Sequence, residues 1–218
     1  MIRSILGLQE RGVPVKINYS VTQYNRQDAQ KIFQFTRSRE LPLQTATYMF
    51  PPVRACEQGC YPSDRMTPRE AAEAQINYDK FRFPAEALRQ RWRDQLDGVQ
   101  VPDPDNECQE LPTERIKCRA GHTTFWVTWD GRLRPCGMMT APDIDMEPGH
   151  FPEAWEQLRK ARESIMVPAK CTACALKHVC DQCPALCYAE TGSFTGVPDY
   201  MCEKTKAYLE LAEAELNR

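Results

Sequence analysis

Cys171-Thr-Ala-Cys174-Ala-Leu-Lys-His-Val-Cys180-Asp-Gln-Cys183-Pro-Ala-Leu-Cys187 places five cysteines within 17 residues, and Cys202 follows. A Cys-x2-Cys spacing lets two thiolates reach one centre through a tight turn. Lys177, Asp181 and Gln182 make the run polar, which argues against a set of free thiols packed into a core. Upstream, Cys118 and Cys136 bracket Phe-Trp-Val-Thr-Trp-Asp130-Gly131-Arg-Leu-Arg. Asp-Gly between β-formers predicts a hairpin with positive φ at both turn residues. Its antiparallel strands would carry Cys118 and Cys136 to the same end. A helix expected over 152–165, with Trp155 and Leu158 inward, separates this hairpin from the dense run.

The cysteines are not spread evenly. Two of the eleven lie in the first 98 residues, which carry a net charge of +4; the remaining residues hold nine and a net of −6. Residues 99–112, rich in proline and acid, read as the linker. Disulfides need an oxidising compartment, and the N-terminal Met1-Ile-Arg-Ser-Ile-Leu-Gly7 lacks the apolar core of an export signal. The expected location is therefore cytoplasmic, and the expected role of the thiols is metal binding. An overall charge of −2 gives no footprint for nucleic acid, and no apolar run is long enough for a membrane span. Four-cysteine sites suit both zinc and [4Fe–4S] clusters, so ligand counting alone leaves the metal open.

Before the linker, Val15, Ile17, Tyr19 and Val21 alternate with polar residues, the period of a strand. Asn25 fits a helix cap, and Ala29, Ile32 and Phe33 form a helical stripe to about residue 38. A second extended segment runs from Leu43 to Phe50 and stops at Pro51-Pro52. Thr67-Pro-Arg-Glu70 predicts a capping box opening a helix to about Phe81, with another helix from Pro84 to about Leu96. Strand–helix–strand order implies parallel strands. Two such strands cannot cover both faces of a sheet alone, so residues 1–98 read as the tail of a partial (β/α) barrel.

The order Cys118-x12-Gly131-x4-Cys136, gap, Cys171-x2-Cys174-x5-Cys180, further cysteines, gap, Cys202 resembles the SPASM domain. That domain extends many radical S-adenosylmethionine enzymes, among them maturases of peptides and sulfatases. Residues 1–98 resemble, more weakly, the last β/α units of the preceding barrel. The resemblance implies an α/β chain: the C-terminal fragment of a radical S-adenosylmethionine barrel over 1–98, then a small α+β SPASM domain over 99–218. It implies two auxiliary [4Fe–4S] clusters. Cys171, Cys174, Cys180 and Cys202 would hold the outer one. Cys118 and Cys136 would hold the inner one with Cys183 or Cys187, which flank Pro184 where the family has its cysteine. Cys108 is the candidate for a further inner ligand.

The family also needs Cys-x3-Cys-x2-Cys on a barrel strand to hold the S-adenosylmethionine cluster. The nearest segment here is Cys56-x3-Cys60-x2-Ser63, whose serine is a poor iron ligand. S-adenosylmethionine is thus expected only in a complete barrel, where Asn18, ahead of Ser20, Thr22, Tyr48 and Met49, could line its pocket. This chain alone is expected not to catalyse. Its parent would be an oxidoreductase acting on a peptide or protein substrate, fed by a reductant such as ferredoxin or flavodoxin. A zinc-stabilised binding module and a stand-alone electron-transfer protein are the alternatives. Of the histidines, His178 lies inside the dense run; His122 and His150 are isolated.

Overall fold

A parallel strand pair needs a crossover that returns the chain to its starting edge. The computed structural model describes residues 2–50, 65–99 and 114–218. In it α1 (Ile2–Gln9) leads to β1 (Ile17–Ser20), α2 (Ala29–Arg37) crosses over, and β2 (Leu43–Ala46) lies parallel to β1. Both strands are shorter than the alternation predicts. Tyr19 pairs with Thr45 and faces the helices, while Asn18 pairs with Gln44 on the exposed face. From α2, buried Phe33 stacks on Phe81 with ring centres 4.6 Å apart, and the Arg37 guanidinium donates to the Phe81 carbonyl at 2.8 Å.

Asn25 corrects the expectation of a cap. Its side-chain oxygen accepts from the Thr22 amide at 2.8 Å and its nitrogen donates to the Ser20 carbonyl at 3.0 Å, so it closes the turn behind it. Asparagine competes for backbone groups on either side, and here the preceding turn wins. The crossover helix begins instead from a 3-10 turn at Arg26–Asp28.

The capping box forms as the sequence reads. Thr67 Oγ1 accepts from the Glu70 amide, and Glu70 Oε2 accepts from the Thr67 amide at 2.9 Å. This opens α3 (Pro68–Arg82), and α4 (Ala85–Asp97) follows.

The cysteine-rich part is built from short pieces. β3 (Trp126–Val127), β4 (Arg132–Arg134) and β5 (Ile144–Asp145) form an antiparallel sheet in that order. Gly131 has φ +79°, but Asp130 does not share a positive φ, which corrects the expected turn. The Thr128 amide donates to the Arg132 carbonyl at 2.9 Å around a three-residue loop, and such a loop needs one left-handed residue, not two. β5 was not anticipated. α5 (Phe151–Glu163) lays Leu158 and Ala154 on Leu133 of β4, with Leu133 and Leu158 fully buried. Trp155 is only half-buried; it meets Phe125 at 5.6 Å and stacks on Phe151. α6 (Ala169–Thr172), α7 (Pro184–Thr191) and α8 (Asp199–Leu216) complete the order. Among the described residues no helix is long and apolar enough to cross a membrane.

The described residues group into two compact units. One holds residues 2–49, 65–93 and 206–218; the other holds residue 50, 94–99 and 114–205. Within the first, the Tyr208 hydroxyl donates to buried Asp79 at 2.8 Å and accepts from the Trp92 indole at 3.1 Å, while Gln75 donates to the other Asp79 oxygen at 3.0 Å. Burial, then the Asp79 charge, pushes the Tyr208 phenol well above its usual range.

Tyr208→Phe leaves a buried carboxylate oxygen and a buried indole N–H each one partner short, so unfolding in urea should report a loss of about 1–3 kcal/mol. A variant as stable as the parent would remove this network from the account of the fold.

In the second unit Asp143 accepts from Nε and Nη2 of Arg134, both at 3.0 Å, and lies beside Arg132. Arg134 first, then Arg132, holds its carboxyl below the usual range. A lowered folded pKa gives stability that is complete above the ordinary carboxylate range and lost as pH falls through it. Asp143→Asn should therefore flatten the acid limb of a urea-midpoint titration between neutral pH and about pH 3, and salt should shrink the effect.

Candidate metal centres

Successive tight turns, not regular elements, present the dense run. Cys171 sits in the four-residue α6. The Cys174 amide then donates to the Cys171 carbonyl at 3.3 Å, and the Cys180 amide to the Leu176 carbonyl at 2.9 Å. Cys202 projects from the first turn of α8. These thiols lie within electrostatic reach of one another. Burial, then Cys202, Cys180 and Cys174, pushes the Cys171 thiol up to about 11. Burial also raises Cys180, with relief from the Thr205 hydroxyl and further push from Cys202, Asp181 and Cys174. Cys171 and Cys180 so placed keep their protons unless positive charge is brought among the sulfurs.

A second group forms around Cys183, which precedes α7. Burial raises its pKa, the neighbouring amides of Leu186 and Ala185 lower it, and Cys136 and then Cys118 raise it. The hairpin does not deliver both upstream thiols as expected. β3 begins only at Trp126, and Cys118 lies ahead of it on an exposed stretch between buried Ile116 and Ala120. Cys136 follows β4 and packs against the cluster of Ile116, Met139, Ile165 and Ala185. The Trp126 ring covers the next residue, Gly137: a Cβ there would sit 3.1 Å from the indole.

Cys187, the alternative to Cys183, is fully buried in α7. Burial, followed by Cys171, Cys183 and Cys180, pushes it up to about 12. It thus senses both groups. Cys108 and the Cys56–Cys60–Ser63 segment lie outside the described residues.

The sulfurs also meet donors. The Met138 amide donates to Cys136 Sγ and the Leu176 amide to Cys174 Sγ, each at 3.4 Å and each from two residues ahead. Among the described residues no group of three or more His, Cys, Asp or Glu is set to hold a single metal ion. A cavity of about 320 Å³ is lined by Cys118 of one group and Cys171 of the other, with Lys117, Lys177 and Glu114 at its polar side. No sequence signal announced it. His178 Nε2 is 3.2 Å from the Gln95 carbonyl and so acts as a donor; His122 and His150 are exposed. Asn18 is exposed on β1, with Ser20 on the same face; Tyr48 and Met49 are half-buried.

The chain's metal-free thiols should differ sharply in reactivity. Cys118 is exposed and Cys187 has no exposure, so timed alkylation read by mass spectrometry should label Cys187 about a thousandfold more slowly, because only opening of the unit exposes it. Equal rates would mean that Cys187 is not in the interior.

No family model matches the chain, and no solved structure matches it. Three curated proteins do, each named AdoMet-dependent heme synthase. That of Methanosarcina barkeri is 22% identical over 86% of this chain and 55% of its own length. That of Oleidesulfovibrio alaskensis is 25% identical over 88% of this chain and 52% of its own. That of Nitratidesulfovibrio vulgaris is 25% identical over 93% and 56%. The chain spans about half the length of these relatives. It is a distant homologue of proteins named for AdoMet-dependent heme synthesis.

Proposed function

We propose that the cysteine-rich unit is the auxiliary iron–sulfur module of a radical S-adenosylmethionine enzyme and holds two [4Fe–4S] clusters. The observation that carries the reading is the division of the thiols into two electrostatically linked groups, Cys171–Cys174–Cys180–Cys202 and Cys118–Cys136–Cys183. The donor set fits the group: thiols that, Cys118 apart, are at least half-buried, with backbone amides aimed at Cys136 and Cys174. Bound clusters of this kind exchange single electrons.

The protein's own part is to hold the ligands and keep water off them. The turns of the dense run fix the spacing of Cys171, Cys174 and Cys180, and α8 brings in Cys202. Cys187 fills the interior between the groups and serves as the reserve ligand to Cys183. The cavity touching Cys118 and Cys171 gives a small molecule or a side chain access to both groups. For the whole protein, the relatives' name favours a tetrapyrrole of heme synthesis over the peptide or protein substrate implied by the SPASM likeness. The AdoMet-binding half, a reductant of the ferredoxin or flavodoxin class and a cytoplasmic setting belong to the same proposal.

Anaerobic reconstitution should load about eight iron and eight sulfide per chain and turn the protein brown. Replacing Cys171 and Cys174 together should remove about half of that iron, and replacing Cys118 and Cys136 should remove the other half. Stoichiometric zinc in protein purified without oxygen, with no iron uptake, would overturn the proposal in favour of a zinc-stabilised module.

A further inference from the structure

Among the described cysteines Cys118 alone is exposed. Its own side chain therefore has little packing to fix it, and a ligand that wanders weakens a metal site. The flanks are anchored: Ile116 and Ala120 are 6% and 9% exposed and belong to the cluster with Met139, Ile165 and Ala185. The three residues between them are all exposed.

The backbone of this stretch converges on one side chain. Arg162, in the last turn of α5, donates from Nε to the Ala120 carbonyl at 2.8 Å. Its Nη2 donates to the carbonyls of Ile116 and of Cys118 itself, both at 2.9 Å. Three alternate carbonyls are thus curved around a single guanidinium. Nearby, the Val167 amide donates to the Glu114 carbonyl at 2.7 Å, which ties down the approach. The Arg162 stem lies against Gly121, where φ is +66° and a Cβ would come 3.2 Å from Cδ. A planar fork with five donors can serve three carbonyls at once; a lysine ammonium reaches fewer in that plane.

We infer that Arg162 is the positioning residue for Cys118: it clamps residues 116–120 so that the exposed thiol faces Cys136 and Cys183. The inference rests on reading those three cysteines as ligands of one centre. Arg162 touches no sulfur in this role. It acts through the backbone, by fixing the carbonyls of Ile116, Cys118 and Ala120.

The test uses the full chain as parent, Arg162→Lys and Arg162→Gln. In the metal-free proteins, trypsin cuts after Arg115, Lys117 and Arg119, all exposed, report the clamp directly. Arg162→Gln should be cut there about tenfold faster than the parent, with Arg162→Lys between them. After reconstitution, Arg162→Gln should retain the iron and the reduced-state EPR signal that survive in the Cys118/Cys136 double variant, and lose the rest. Parent-like cleavage, parent-like iron, or loss of both centres together would each overturn the inference, the last by making Arg162 a general scaffold residue. Faster cleavage of Arg162→Gln, combined with a parent that takes up no iron, would leave the clamp standing and remove the metal reading.

Discussion

Gathering thiols away from water is costly for the thiolate, and the cysteine-rich unit is organised around that cost. Cys171, Cys180, Cys183 and Cys187 all have raised pKa values, and burial is the first cause for each. Neighbouring sulfurs then add to the push. A chain that concentrates its cysteines in this way needs an agent that stabilises negative sulfur, and the backbone amides at Cys183 supply only part of it. The proposed cationic centre at each group would supply the rest.

The modest regular structure follows from the same constraint. α6 has four residues and α7 eight, below the length at which a helix holds itself together. The sheet has strands of two or three residues. One buried cluster joins Leu133 of the sheet to Ala154 and Leu158 of α5; the other centres on Ile116, Met139, Ile165 and Ala185. Small cores of this kind gain most from cross-links between distant segments, and the proposed metal centre joining residues near 118, 136 and 183 would be such a link.

The legible parts of the sequence were those governed by local chemistry. Thr67 and Glu70 announced α3 because both halves of a capping box lie three residues apart. The Cys-x2-Cys spacing announced the thiol groups for the same reason. Asn25 misled because an asparagine has two backbone neighbours to choose from. Asp130 misled because Asp-Gly fits both a two-residue and a three-residue loop. β5, two residues long, carries no period at all. In α8, Met201, Thr205, Tyr208 and Ala212 follow helical spacing, a stripe that Cys202 falls outside. Which of Cys183 and Cys187 faces Cys118 and Cys136 was beyond any spacing rule, since segments 47 or more residues apart meet there only by folding.

The Trp126 ring rests on Gly137, one residue from Cys136. An indole so placed is a donor for energy transfer to any chromophore that absorbs its near-ultraviolet emission, and iron–sulfur centres absorb broadly there. Trp129, almost fully exposed, samples bulk solvent instead. With the proposed centre bound, the hairpin would form a paired optical gauge: an indole quenched beside one thiol group and a solvated one to calibrate it.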